Sequence, residues 1–144
     1  MDLINRIIHA ITVTHPIHPM VVHFPIGLTG AALFFILLAL WKKKEFFEQA
    51  AFANIALATV STIMAGITGM YDNQINYVGD APNAGLKMFL AIALFLITTV
   101  TAIARWKKRD LFETSKALYV SAYFISFGLA LTLAFLGGVI LYGF

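Results

Sequence analysis

The segment His15-Pro-Ile-His18-Pro-Met-Val-Val-His23-Phe-Pro25 gathers three of the four histidines and three of the four prolines of the chain at the mouth of a long apolar run. An imidazole at the edge of a lipid-soluble helix is costly to bury unless a metal, a haem iron, a proton path or a polar partner uses it. His18 and His23 are therefore the first candidates for chemistry, with His15 nearer to water.

The elements that must position these rings follow from the prolines. His15 and His18 each precede a proline and are pushed away from helical backbone angles. Pro19 suits a first helical position, so His18 reads as a cap and the helix proper begins beside it. Pro25 removes a backbone donor and crowds the Val21 carbonyl, so a kink is expected next to His23, with His23 facing the bundle interior. Below His23 on one face come Gly27, Gly30, Ala31 and Phe34. Gly66 and Gly69 lie at the same depth in a second run, and Gly137, Gly138 and Gly143 in the last. Small residues under an imidazole either let helices approach closely or leave room for a flat macrocycle. Lys87 and Met88 open the third run at this height; Lys87 is expected to snorkel and Met88 to fill core or reach a bound group.

With 60% hydrophobic and 12% charged residues among 144, and a mean hydropathy of +0.86, the chain carries far fewer charges than a soluble domain, which has about 25%. Four runs, approximately 19–41, 46–71, 84–106 and 117–142, are long enough to cross about 30 Å of hydrocarbon. The expectation is an all-α fold, one integral membrane four-helix bundle over residues 1–144. Leu3 to Thr14 read as a short interfacial helix, with Asn5, Arg6 and His9 opposing Ile4, Ile7, Ile8 and Ile11. The first span reads as its own uncleaved insertion signal.

Eight of the ten Lys and Arg fall between runs one and two (Lys42, Lys43, Lys44) or three and four (Arg105, Lys107, Lys108, Arg109, Lys116). The loop from Asp72 to Asn83 carries no base. The positive-inside rule then puts both termini and the histidines on the non-cytoplasmic side of a bacterial inner membrane. The lysines read as topology and lipid-headgroup signals and not as a nucleic-acid surface. Zero cysteines excludes disulfides, iron-sulphur ligation and covalent haem attachment.

Trp41, Trp106, Tyr71, Tyr77, Tyr119, Tyr123 and Tyr142 lie near run ends and read as an aromatic belt. No Asp or Glu stands out within the spans, which argues against a proton-coupled transporter. The chain has no Walker loop, no His-Glu-x-x-His motif and no serine elbow, and no acid-base pair that would make it catalytic alone.

The block His18-Pro-Met-Val-Val-His23-Phe-Pro25-Ile-Gly-Leu, a second span ending Gly66-Ile-Thr-Gly69 with Asp72 beyond it, and the terminal Gly137-Gly-Val-Ile-Leu-Tyr142-Gly resemble the bacterial four-helix membrane family catalogued as domain of unknown function 2231. The resemblance covers nearly the whole chain. It implies a redox setting beside Rieske and cytochrome modules, and non-covalent haem b, with His18 and His23 matching the family's paired histidines. Family members commonly carry another histidine at the start of the third span, where this chain has Lys87 and Met88. That leaves His/Met, His/Lys, five-coordinate, same-helix and dimer-shared ligation open.

Three functions follow as expectations. The first is an electron-transfer subunit of a respiratory or photosynthetic complex that holds haem b through His23. His18 or Met88 would complete the site, and Gly27, Gly66 and Gly69 would give the porphyrin room. The second is a cofactor-free accessory or structural subunit of a membrane complex, in which His18 and His23 hydrogen-bond the kinked backbone and fasten helices; a homodimer is a further expected partner. The third is a divalent metal on His15, His18 and His23.

Overall fold

The fold is described from a computed structural model, which covers residues 2–10 and 17–142, with side chains up to residue 139. Every regular element among the described residues is helical: α1 (Leu3–His9), α2 (Ile17–Lys42), α3 (Glu45–Tyr77), α4 (Ala84–Lys107), α5 (Leu111–Thr114) and α6 (Lys116–Tyr142). Four of them, α2, α3, α4 and α6, are long and apolar enough to cross a membrane. They pack around a ring in which α2 touches α3 and α6, and α4 touches the same two, so α2 and α4 face each other across the bundle.

The buried positions have one spacing throughout. In α2 they are Pro25, Thr29, Ala32, Ile36 and Ala39; in α3, Glu48, Ala51, Ile55, Ala58 and Thr62. In α4 they are Leu94, Thr98, Thr101 and Arg105, and in α6 Tyr119, Tyr123, Ser126 and Ala130. Steps alternate between three and four residues, which averages 3.5 and keeps one seam of each helix toward its neighbours in left-handed packing. Alanines at Ala32, Ala39 and Ala51 let α2 and α3 make the most extensive helix contact, and Ile36, Ile55, Tyr119 and Tyr123 fill the space between. The remaining faces display Phe34, Leu57, Val60, Leu96, Val100, Ile103 and Phe124 outward, as hydrocarbon requires.

Packing is uneven along the bundle. At the lysine-rich end the seams are filled. Toward the histidine end, none of residues 17–24, 63–77, 84–93 or 131–139 is buried. Thus the glycine-rich third of the bundle is open.

The connections are built by local backbone chemistry. α3 runs past the Tyr71 at which a span was expected to end and stops at Tyr77, where Val78 and Gly79 take positive φ. The Gly79 amide donates to the Asn73 carbonyl at 2.9 Å, closing a left-handed C-cap, and the Ala81 amide donates to Asn73 Oδ1 at 3.0 Å. Asp72, read as loop from the sequence, is therefore helical. α1 forms over Leu3–His9 with Leu3, Ile4, Ile7 and Ile8 exposed, an apolar stripe beside Arg6 and His9. Ile11 to Pro16, including His15, lie outside the described residues.

Candidate functional site

His18 and His23 stand on one helix but do not converge. Five residues at about 100° each separate their directions by about 140°. His18 lies in the first turn of α2, in line with the buried seam, and turns toward α3. Its Nδ1 lies 3.2 Å from Thr68 Oγ1, and the Ala65 carbonyl is within bonding reach of the ring. The ring lies so close to Gly69 that a Cβ built there would sit 2.8 Å from His18 Cε1. Gly69 is therefore the residue that admits the imidazole between the helices. A cleft of about 170 Å³ borders this contact, lined by Ile17, Thr68, Tyr71, Asp72 and Asn76 among others. Asp72 of α3 lines the same cleft as His18, and Lys87 in the first turn of α4 carries a charge at this end of the bundle.

His23 does the opposite. Pro25 and Thr29 occupy the seam, with the Thr29 hydroxyl donating to the Pro25 carbonyl at 2.7 Å, and His23 falls about 160° away from Pro25 on the wheel. Its ring is exposed, not interior as the sequence suggests. The reason lies in the 3.5-residue seam, which brings the proline itself into the bundle and rotates the histidine out. The helix continues through Pro25. His23 Nδ1 lies 2.6 Å from the Pro19 carbonyl. A carbonyl only accepts, so Nδ1 donates in this contact and Nε2 is left on the outer face of α2. Gly27, one turn further along this face, has nothing within 4 Å of where a Cβ would stand.

The other expected site residues are spread out. Gly66 also has open space beside it, as do Gly85 and Gly137. Met88 is about half exposed in the first turn of α4, across the bundle from α2. Among the described residues no group of three His, Asp or Glu side chains is placed to hold a metal ion.

The test for a haem divides these residues. An enclosed ligand pocket needs about 300–1,000 Å³, and the cleft beside His18 is smaller. His18 is spent on α3, and Met88 stands on α4, across the bundle from α2. His23 does fit an axial role: its Nδ1 is tied to a carbonyl, the arrangement that orients metal-bound histidines, and Nε2 is accessible above an open glycine. Of the expected site residues, His23 is the one whose surroundings suit such a ligand.

At the lysine-rich end lies a second polar constellation, which the sequence alone did not single out. Glu48 of α3 is 3% exposed and meets Arg105 of α4 in a two-pronged pair, Nε to Oε1 at 2.6 Å and Nη2 to Oε2 at 2.7 Å. The Tyr119 hydroxyl donates to Glu48 Oε1 at 2.9 Å and lies 2.6 Å from the Tyr123 hydroxyl. Glu48 is a buried carboxylate in the first turn of α3, and its pairing with Arg105 does not restore a proton-transport reading. Tyr119 and Tyr123 are core residues and not belt residues; Trp41 and Trp106 do lie exposed at run ends. The signal that was available is register: Glu48, Arg105, Tyr119 and Tyr123 all fall on the buried seams of their helices.

Four apolar spanning helices with an imidazole set at one end and a buried ion pair at the other define a polytopic helical membrane protein. The family model for the predicted membrane proteins termed DUF2231 matches residues 14–144, and the chain belongs to that family. No curated protein and no solved structure matches it.

Proposed function

We propose that the chain is a membrane electron-transfer subunit that supplies one axial ligand, His23 Nε2, to a haem b held at its outward α2 face, within a larger redox complex of the bacterial inner membrane. The observation that carries this reading is the exposed ring of His23, held by its Nδ1 contact to the Pro19 carbonyl so that Nε2 is left on the outer face of α2. A bound haem would supply one-electron transfer. The Pro19 carbonyl fixes the tautomer and ring plane of His23, and Gly27 keeps the adjoining surface flat enough for a close approach. His18 clamps α2 to α3 behind the site. The second axial ligand comes from a neighbouring subunit, a second copy or another member of the complex.

The cofactor-free reading draws on His18, whose bonds to α3 are those of a fastener. It gives His23 the backbone contact to the Pro19 carbonyl and no more. The reduced-minus-oxidised absorbance of the complex solubilised from native membranes separates the two. The haem reading expects a b-type spectrum that His23→Ala abolishes while assembly persists. A colourless complex from haem-replete cells contradicts it.

A further inference from the structure

A cleft with room for about 450 Å³ opens at the lysine-rich end, between the first turns of α3 and the last turn of α4 and the residues beyond it, lined by Glu45, Gln49, Phe52, Arg105, Trp106 and Arg109. We infer that it is a binding site for the phosphate of an anionic phospholipid headgroup, a property separate from the haem proposal above.

Arg105 is the anchor of the argument. Its guanidinium spends Nε and Nη2 on Glu48 and lies over the Phe52 ring, 5.6 Å from the centroid. Its Nη1 has no protein partner among the described residues, and the side chain lines the cleft. A guanidinium locked by a carboxylate on one edge presents the other edge as a preorganised donor for a phosphate oxygen. Arg109 adds a second charge on the same lining. Glu45, the one acid of the lining, accepts a bond from Gln49 Nε2 at 2.8 Å.

The occupant follows from where the cleft sits. Trp106 is 78% exposed at the end of a spanning helix, the depth at which indole rings mark the headgroup layer. Around it this end carries Lys42, Lys43, Lys44, Arg105, Lys107, Lys108, Arg109 and Lys116 against only Glu45, Glu48, Asp110 and Glu113, so the local potential is positive. Basic pockets between spanning helices on this side suit anionic headgroups, whose acyl chains continue down the exposed faces of α3 and α4. The start of α3 adds the positive end of its helix dipole.

The test is native mass spectrometry of the full delipidated chain in detergent, given phosphatidylglycerol or phosphatidylcholine at equal concentration. One phosphatidylglycerol is expected to be retained in preference. Arg109→Gln is expected to weaken that retention by about fivefold, the value of one basic residue at a membrane surface. Trp106→Ala is expected to weaken it as well, whereas Lys108→Gln, outside the lining, leaves it closer to wild type. None of these changes touches the Glu48 pair, so the fold is kept. Equal retention of the two lipids, or equal loss in Arg109→Gln and Lys108→Gln, overturns the site. So does displacement of the retained lipid by millimolar inorganic phosphate, which would assign the cleft to a soluble anion.

Discussion

Arg105 grips Glu48 with two parallel hydrogen bonds of 2.6 and 2.7 Å inside the seam between α3 and α4, and both side chains are buried. Removing one member leaves the other charged and unpaired. Glu48→Leu or Arg105→Met alone is expected to cost about 3–5 kcal/mol, while the two together are expected to cost far less. Thermal or denaturant unfolding of the four proteins in detergent gives the coupling energy directly; additive single effects would show the pair to be unimportant.

The two tyrosines that finish this network differ in what they hold. Tyr119 donates to a carboxylate, and Tyr123 bonds only the Tyr119 hydroxyl. Tyr119→Phe is expected to lose about 1.5–3 kcal/mol and Tyr123→Phe about 1 kcal/mol, read from the same unfolding curves. The reverse ranking would mean that the proton order along the chain runs the other way.

At the opposite end the geometry makes a suppressor prediction. Gly69→Ala drives a methyl into the His18 ring and is expected to cost about 1–3 kcal/mol through strain and loss of the Thr68 contact. Combining it with His18→Ala removes the clash, so the double variant is expected to be more stable than the sum of the two single effects. Strict additivity of the three melting shifts would contradict the close contact.

Ser126 buries its hydroxyl completely in α6 without a hydrogen-bond partner. Ser126→Ala removes an unsatisfied polar atom at little change in volume. An increase in stability of about 1 kcal/mol is expected, visible as a higher melting temperature. A loss would mean that the hydroxyl is satisfied in the membrane.

Much of the architecture was legible because lipid imposes it. The runs from Pro19, Phe46, Ala84 and Ala117 had to be helices once they were apolar over a bilayer's width, since no other open structure satisfies its backbone there. The rings were harder. Their depth could be read from the prolines, but their direction depends on which residues form the seam, and Pro25 and Thr29 took the place that sequence reasoning had given to His23. Glu48 and Arg105 were hidden for a related reason. Each sits within a turn or so of a helix end beside lysines, so each looks like an interfacial charge until the alternation of three and four residues places it inside.

The proposal that His23 supplies an axial nitrogen rests on its outward turn, and haemin titration of the solubilised full chain tests it most directly. Following the Soret band, wild type, His18→Ala and Met88→Ala are expected to saturate at a fixed stoichiometry, and His23→Ala to show only the spectrum of free haemin. If His23→Ala binds as wild type does, His23 is not the ligand.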